Sequence, residues 1–481
     1  MKAMNRKIGI GVLWNLASLL LTRGASTLFM LFLARLLVPE AFGLIAMATV
    51  VFELANAFIN SGLGSALIRS KEVSQADLNT VFYTNLGLSL IAYAAIYFGA
   101  PYIADFYNQV ELVTLIRVMG LVVFINAVKI VQSAMLSRKM DFKTQMKANL
   151  LATLVAGALA VTAAFQGWGV WSLVVQMLTQ AAVSAVILWL ASNWRPAWQF
   201  STASFSRLFA YGRNILAEGM LDVAFQNSYI LVIGRFFSAE LTGLYFFAKR
   251  INNLISQHLT SAVQQVTFPA LATLQDDNVI LKYKYRQIMQ LMMFLIAPIM
   301  MLLAALSPLL IELAFGAKWQ GAVPYLQLLC VGGMIYPLHA LNINLLNVKG
   351  RSDLMFKVGM VKRAVSLTLL FLAIPYGVLG IVVSQVIATF LALVPNTYFS
   401  ARLVGYSLRE QIKDTVKPIG AAVLSGLLAW WTATHLHTHP LVALLVAGMA
   451  GAGLYMLASF GIRAEGALML WGQACKRLQR D

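Results

Sequence analysis

The chain has 481 residues, 60% of them hydrophobic and only 11% charged, with a formal net charge of +18. A water-soluble domain carries about a quarter charged residues, so this composition excludes one. Two cysteines, Cys330 and Cys475, are too few for a disulfide framework, and both are expected as free thiols.

Apolar stretches long enough to cross a bilayer, roughly 20 residues each, recur along the chain and number about 14. In the first half they are 8–36, 40–64, 78–98, 112–136, 146–166 and 168–191. In the second half they are 208–236, 241–268, 286–314, 322–347, 354–376 and 378–403, followed by 416–436 and 441–463. The first follows Lys2, Arg6 and Lys7. It is too long for a signal-peptide core and lacks an A-x-A site, so it reads as a retained helix. No alternating strands are present, which argues against a β-barrel. The fold class is therefore all-α, a polytopic membrane protein.

Lys and Arg fall in every second loop: Arg69 and Lys71, Arg138 to Lys147, Arg195 to Arg213, Lys282 to Arg286, Lys349 to Lys357, and Arg402 to Lys417. The intervening loops carry almost none, with Lys318 the main exception. This positive-inside pattern puts both termini in the cytoplasm. The basic excess is thus an orientation signal, and no nucleic-acid partner is expected. Loops are too short to fold as separate domains. Trp194–Tyr211 and Trp471–Arg480 mix aromatic and basic residues, which suits the cytoplasmic headgroup zone.

The chain repeats at an offset of two hundred residues. Leu33–Ala48 matches Ile233–Ala248 without a gap, pairing Arg35 with Arg235, Glu40 with Glu240 and Gly43 with Gly243. Gly169-Val170 pairs with Gly377-Val378, and Leu115–Arg138 with Leu328–Arg351. Many secondary transporters are built from two such halves with the substrate site between them. The expected organisation is an N-terminal lobe at 1–200, a C-terminal lobe at 201–405, and two extra helices with a cytoplasmic tail at 406–481.

No Walker A run is present, so ATP hydrolysis is unsupported. Gly62-Leu63-Gly64 reads as helix packing. His435, His437 and His439 cluster in one loop with no carboxylate or Cys nearby, and no metal site is assigned.

Ionisable groups at mid-span are costly and usually face a bundle interior or wet cavity. Arg23 shares a helix face with Asn15, Ser18, Thr22 and Ser26; Glu53, Asn56 and Asn60 share another. The seventh span carries Asn214, Glu218 and Asp222; the eighth carries Lys249, Asn253, Ser256, Gln257, Thr260 and Gln264, with Arg250 at the edge. These are equivalent helices of the two repeats. Further charges are Arg117, Lys129, Glu312, Lys362 and Arg363. Cations outnumber anions, so a cavity here attracts an anion such as phosphate or pyrophosphate. The expected substrate-binding set is Arg23, Lys249, Arg250, Asn15, Asn253 and Gln257. Glu53, Glu218 and Asp222 are candidates for coupling to H⁺ or Na⁺. The competing reading is plain ion pairing: Arg23 with Glu53, Lys249 or Arg250 with Glu218 or Asp222, and snorkelling for Lys362 and Arg363.

The chain resembles the polysaccharide transporter family of the multidrug/oligosaccharidyl-lipid/polysaccharide flippase superfamily, and within it the colanic-acid or exopolysaccharide exporter type. The resemblance covers nearly the whole chain. It rests on the order and spacing of Leu33–Val50, Leu67–Asn85, Leu136–Lys143 and Gly167–Val174. It implies two six-helix lobes around a cavity, plus two peripheral helices. It implies alternating access driven by an ion gradient; no cofactor is expected, and the expected location is the bacterial inner membrane. The substrate it implies is an undecaprenyl-pyrophosphate-linked oligosaccharide, with membrane lipids, a glycan polymerase and export machinery as partners. Arginines of the first and eighth helices line the cavity in related flippases, and Arg23 and Arg250 occupy those helices here. One rival, a multidrug exporter of the same architecture, calls for an acidic cavity. The other, a membrane glycosyltransferase or polymerase, calls for a long loop with catalytic carboxylates.

Overall fold

The computed structural model describes residues 21–60, 62–70 and 72–469. Asn15, Cys475 and the 471–480 segment lie outside the described residues, as do the side chains of Asn60 and Asn214. The chain forms two compact units, Met1–Gly243 and Leu244–Asp481.

The first unit holds α1 (21–36 as described), α2 (Pro39–Asn60), α3 (Leu63–Arg69), α4 (Gln75–Tyr107), α5 (Leu112–Met119), α6 (Leu121–Val128), α7 (Ile130–Arg138), α8 (Phe142–Phe165), α9 (Trp171–Ala191) and α10 (Thr202–Phe236). Helices α8 and α9 pair as a hairpin, and α10 packs on α2, α3 and α4. The helix that opens the second repeat thus packs within the first unit. The boundary falls inside α11 (Ala239–Ala272), so the second unit holds most of that helix, then α12 (Asn278–Phe315), α13 (Val323–Met334), α14 (Tyr336–Val348), α15 (Ser352–Ala373), α16 (Gly377–Leu391), α17 (Leu393–Val404), α18 (Leu408–His435) and α19 (Pro440–Gly461). Its centre is α12, which touches α13, α14, α17, α18 and α19. Small residues let α18 and α19 close on α12: Ala429, Ala447 and Leu306 form one buried cluster, and the Ser425 hydroxyl donates to the Gly451 carbonyl at 2.7 Å.

Among the described residues the secondary structure is helical without strands, and ten stretches are long and apolar enough to cross a membrane. One of these, Ser352–Val404, contains both α15 and the α16–α17 rod. Helices α10 and α11 are long enough but too polar to qualify, and they are the two that carry Glu218, Asp222, Lys249, Arg250, Asn253 and Gln257.

Four expected spans are interrupted. Gly62, at φ 71°, separates α2 from α3, so this glycine breaks a helix, whereas Gly64 packs: a Cβ there would lie 3.3 Å from Ile130. The fourth span becomes α5, α6 and α7, with the Tyr93 ring against the backbone of Gly120. Pro337 and Pro395 remove helical donors just after the breaks at Ile335 and Ala392. In the other direction, α4 runs on through Pro101 to Tyr107, past the expected end at 98.

The repeats show themselves in the backbone. Gly169 and Gly377 both adopt positive φ, 54° and 73°, in the turns that lead into α9 and α16. Gly43 and Gly243, both in the first unit, meet face to face. A Cβ on Gly43 would fall 1.8 Å from the Ala239 carbonyl oxygen, and one on Gly243 would fall 1.9 Å from that of Pro39. Backbones this close admit no side chain.

Several loop cations have structural duties as well as a topological one. Arg138 at the end of α7 donates to the Leu67 carbonyl at 2.7 Å and to that of Ser70, capping α3. Lys349, after α14, donates to the Gln275 carbonyl in the turn between α11 and α12 and to the Asn278 side chain at the start of α12. In the second unit Arg286 grips Asp414 with two bonds, and Lys282 pairs with Glu410, fastening α12 to the start of α18. The segment after α9 is fixed to α4. Trp194 is buried with Phe82 and Leu78, and its indole N–H donates to Gln75 at 3.0 Å. Asn79 accepts from the Ala197 N–H, Thr80 from the Ser201 N–H, and Arg207 pairs with Asp77 at 2.5 Å. Helix α10 begins already at Thr202, so only the first part of the expected surface segment is non-helical; Trp198 there is exposed and stacks on Tyr83.

Two stability outcomes follow. Gly43→Ala or Gly243→Ala should destabilise the protein by about 1–3 kcal/mol or more through overpacking, read as a lower melting temperature in detergent, whereas Gly453→Ala, with open space at its Cβ, should not. Arg138→Gln should cost about 1–3 kcal/mol by stranding the α3 carbonyls, read by the same melt.

Candidate functional site

In the first unit the acidic candidates lie on the packed pair α2 and α10. Asn227 of α10, itself buried, donates to Glu53 Oε2 at 2.6 Å and to the Val223 carbonyl at 3.0 Å. The residue before it, Gln226, donates to Asp222 Oδ2, one turn back, at 2.5 Å. Glu218, a further turn back, is exposed. The α2 and α10 polar faces therefore meet through an amide–carboxylate contact, and Asn227 is a member the sequence reading left out. Arg23 is exposed on α1, and among the described residues neither it nor Glu53 has an ion-pair partner, so the Arg23–Glu53 pair of the competing reading is not present. Asn15 lies outside the described residues.

Helix α11, in the second unit, places Arg250 exposed, and Lys249, Asn253 and Gln257 half-buried on successive turns. Lys249 Nζ lies 5.9 Å from the centre of the Tyr245 ring, and the Tyr245 hydroxyl bonds Gln385 at 2.9 Å. Asn253 accepts from its neighbour Asn252 at 3.4 Å. The stripe expected along this helix is only partly available. Ser256 and Thr260 are buried, and their hydroxyls turn back to the carbonyls of Asn252 and Ser256. Such back-bonding satisfies a hydroxyl inside its own helix and leaves it little to offer a ligand.

Asn56 does not line up with Glu53 alone. It belongs to a chamber of about 500 Å³ within the first unit, formed with Ser65, Asn126, Lys129, Ser133 and Ser137. Asn126 donates to Asn56 at 3.4 Å, and Lys129 reaches Ser184 at 3.5 Å. Among the described residues Lys129 has no carboxylate partner. A cation at mid-span without a counter-charge marks a polar, wet compartment. The histidine cluster is differently employed: His435 bonds the Trp431 carbonyl and stacks on its ring, and His439 accepts from Leu441 at the start of α19. Cys330 is buried and free.

Comparison with known proteins agrees with this architecture. The chain is similar to the lipopolysaccharide biosynthesis protein WzxC of Escherichia coli K12, at 26% identity over 383 residues, covering 79% of this chain and 76% of that protein. It is similar to the succinoglycan biosynthesis transport protein ExoT of Rhizobium meliloti 1021, at 27% identity over 463 residues, covering 93% and 91%. The solved structure of the lipid II flippase MurJ in an inward closed conformation shares its fold, with a TM-score of 0.76 at 14% identity, covering 94% of this chain and 99% of that one. The family described as polysaccharide biosynthesis protein matches residues 32–324, more than half of the sequence. This multi-pass membrane protein, with the fold of that flippase structure, belongs to the polysaccharide biosynthesis protein family.

Proposed function

We propose that the protein is a secondary transporter, not an enzyme, that flips undecaprenyl-pyrophosphate-linked oligosaccharide from the cytoplasmic to the outer leaflet of the bacterial inner membrane, with both termini cytoplasmic. One observation carries the reading. In a chain otherwise apolar enough to live in lipid, the long helices α10 and α11 keep acids, amides and cations on successive turns. A sugar head cannot cross the acyl layer without a polar path, and side chains of this kind offer hydrogen bonds along one. Arg23, Lys249 and Arg250 supply positive charge for the pyrophosphate, Arg through its planar fork and Lys as a mobile point charge. Asn253 and Gln257, with Asn15, offer amides to the sugars, and the polyprenyl tail stays in lipid.

Alternating access needs an energy source, and no nucleotide motif is present. In this reading H⁺ or Na⁺ binds a carboxylate among Glu53, Glu218 and Asp222 and biases which side is open. A polymerase and export machinery downstream would consume the flipped unit. A multidrug exporter of the same fold remains the specific rival; lipophilic cations would need an excess of acids along these helices, and cations are in excess instead.

Deleting the gene should make the lipid-linked oligosaccharide build up in the inner leaflet; its continued appearance outside would remove the proposal. Arg23→Ala or Arg250→Ala should abolish polymer export at unchanged protein level, and normal output from both would reassign these arginines. Glu53→Gln keeps an acceptor for Asn227 while removing the charge. Flipping in proteoliposomes should then lose its dependence on the ion gradient; gradient-dependent flipping at the wild-type rate would leave Glu53 a packing role only.

A further inference from the structure

The second unit contains a pocket of about 320 Å³ that the transport reading does not use, lined by Gln264 of α11, Tyr336, His339, Asn344 and Asn347 of α14, and Lys362 of α15. It is the repeat counterpart of the Lys129 chamber. Setting Leu115–Arg138 against Leu328–Arg351 places Asn126 on His339, Ile130 on Ile343 and Ala134 on Asn347, and all six residues line their respective pockets. Gly64 and Gln264, two hundred residues apart, do the same.

Three polar groups at this pocket lack partners. His339 and Asn344 are each only 6% exposed, yet His339 Nε2 and Asn344 Nδ2 make no hydrogen bond. Lys362, in the middle of α15, has neither a carboxylate nor a hydrogen-bond acceptor among the described residues. The Asn396 amide meets His339 Nδ1 at 2.6 Å. With that amide donating, the proton of the neutral ring sits on Nε2, so the histidine is a donor as well. Burying donors unpaired is costly, and a lone mid-span cation is costlier still. A fold retains such a set where a ligand completes it.

We propose that this pocket is an oxyanion subsite, taking a phosphoryl or carboxylate group with Lys362 as counter-charge and Asn344 and His339 as donors. Full-length protein purified in detergent would be titrated by calorimetry with inorganic pyrophosphate in one arm and glucuronate in the other. Wild type should bind at least one; which of them binds tells a phosphate source from an acidic sugar. Lys362→Met should weaken that binding at least tenfold, Asn344→Leu severalfold, and Lys362→Arg should restore most of it. Lys357→Met, an exposed lysine of the same helix, should leave it unchanged. Without ligand, Lys362→Met should melt at a higher temperature than wild type, since it removes an uncompensated charge. Failure of wild type to bind either anion, or equal affinity in Lys362→Met and Asn344→Leu, overturns the subsite. Binding is read without transport, so its failure leaves the flippase reading standing, and failed export leaves the subsite standing.

Discussion

Lipid supplies no hydrogen bonds, and that one fact orders the whole chain. Backbone polarity is absorbed inside helices, and wherever a helix stops within or near the membrane the protein must provide the missing partner. Arg138 does so for the end of α3, and Lys349 does so for the turn after α11. The non-helical strip after α9 is held by Gln75, Asn79 and Thr80, side chains of α4 that take up its donors or reach its carbonyls. The same constraint sorts the polar side chains. Small hydroxyls return to their own helices, as Ser256 and Thr260 do, while groups too large or too charged for that must meet one another or line a hollow.

The way charges are matched is uneven. The carboxylates Glu53 and Asp222 each take a hydrogen bond from a neighbouring amide, Asn227 and Gln226. An amide steadies a carboxylate by hydrogen bonding without neutralising it. Lys129 and Lys362, by contrast, stand beside amides and hydroxyls with no acid among the described residues. Strong pairs do exist, Arg286 with Asp414 and Arg207 with Asp77, but they tie helix ends and linkers together. Charge neutralisation is used for construction, and uncompensated cations lie along the polar pockets.

Much of this was legible in the sequence because hydropathy length and repeat spacing survive translation into structure directly. Each expected span that falls on described residues corresponds to a helix or to a short series of them. What periodicity could not reveal were the interruptions. Gly62 inside an apolar run looks like a packing glycine until its φ of 71° is known, and Pro337 and Pro395 sit among residues hydrophobic enough to read straight through. The polar stripe of α11 was legible as a face, but a helical face does not reveal which hydroxyls fold back on the main chain. His339 escaped for a different reason: a single histidine in an apolar helix reads as core, and only its unpaired nitrogen beside Lys362 sets it apart.

The two halves also show what duplication fixes and what it leaves free. Backbone requirements are kept in pairs: Gly169 with Gly377 at positive φ, and Gly43 with Gly243 where main chains touch. The polar pockets are kept in pairs too, at matching positions of matching helices. Their cations are not. The repeat partner of Lys129 is Asn342, which is buried and bonded to Gln411, while the second pocket draws its charge from Lys362 on another helix. The two hollows thus share wall positions by duplication, while each takes its lysine from a different helix.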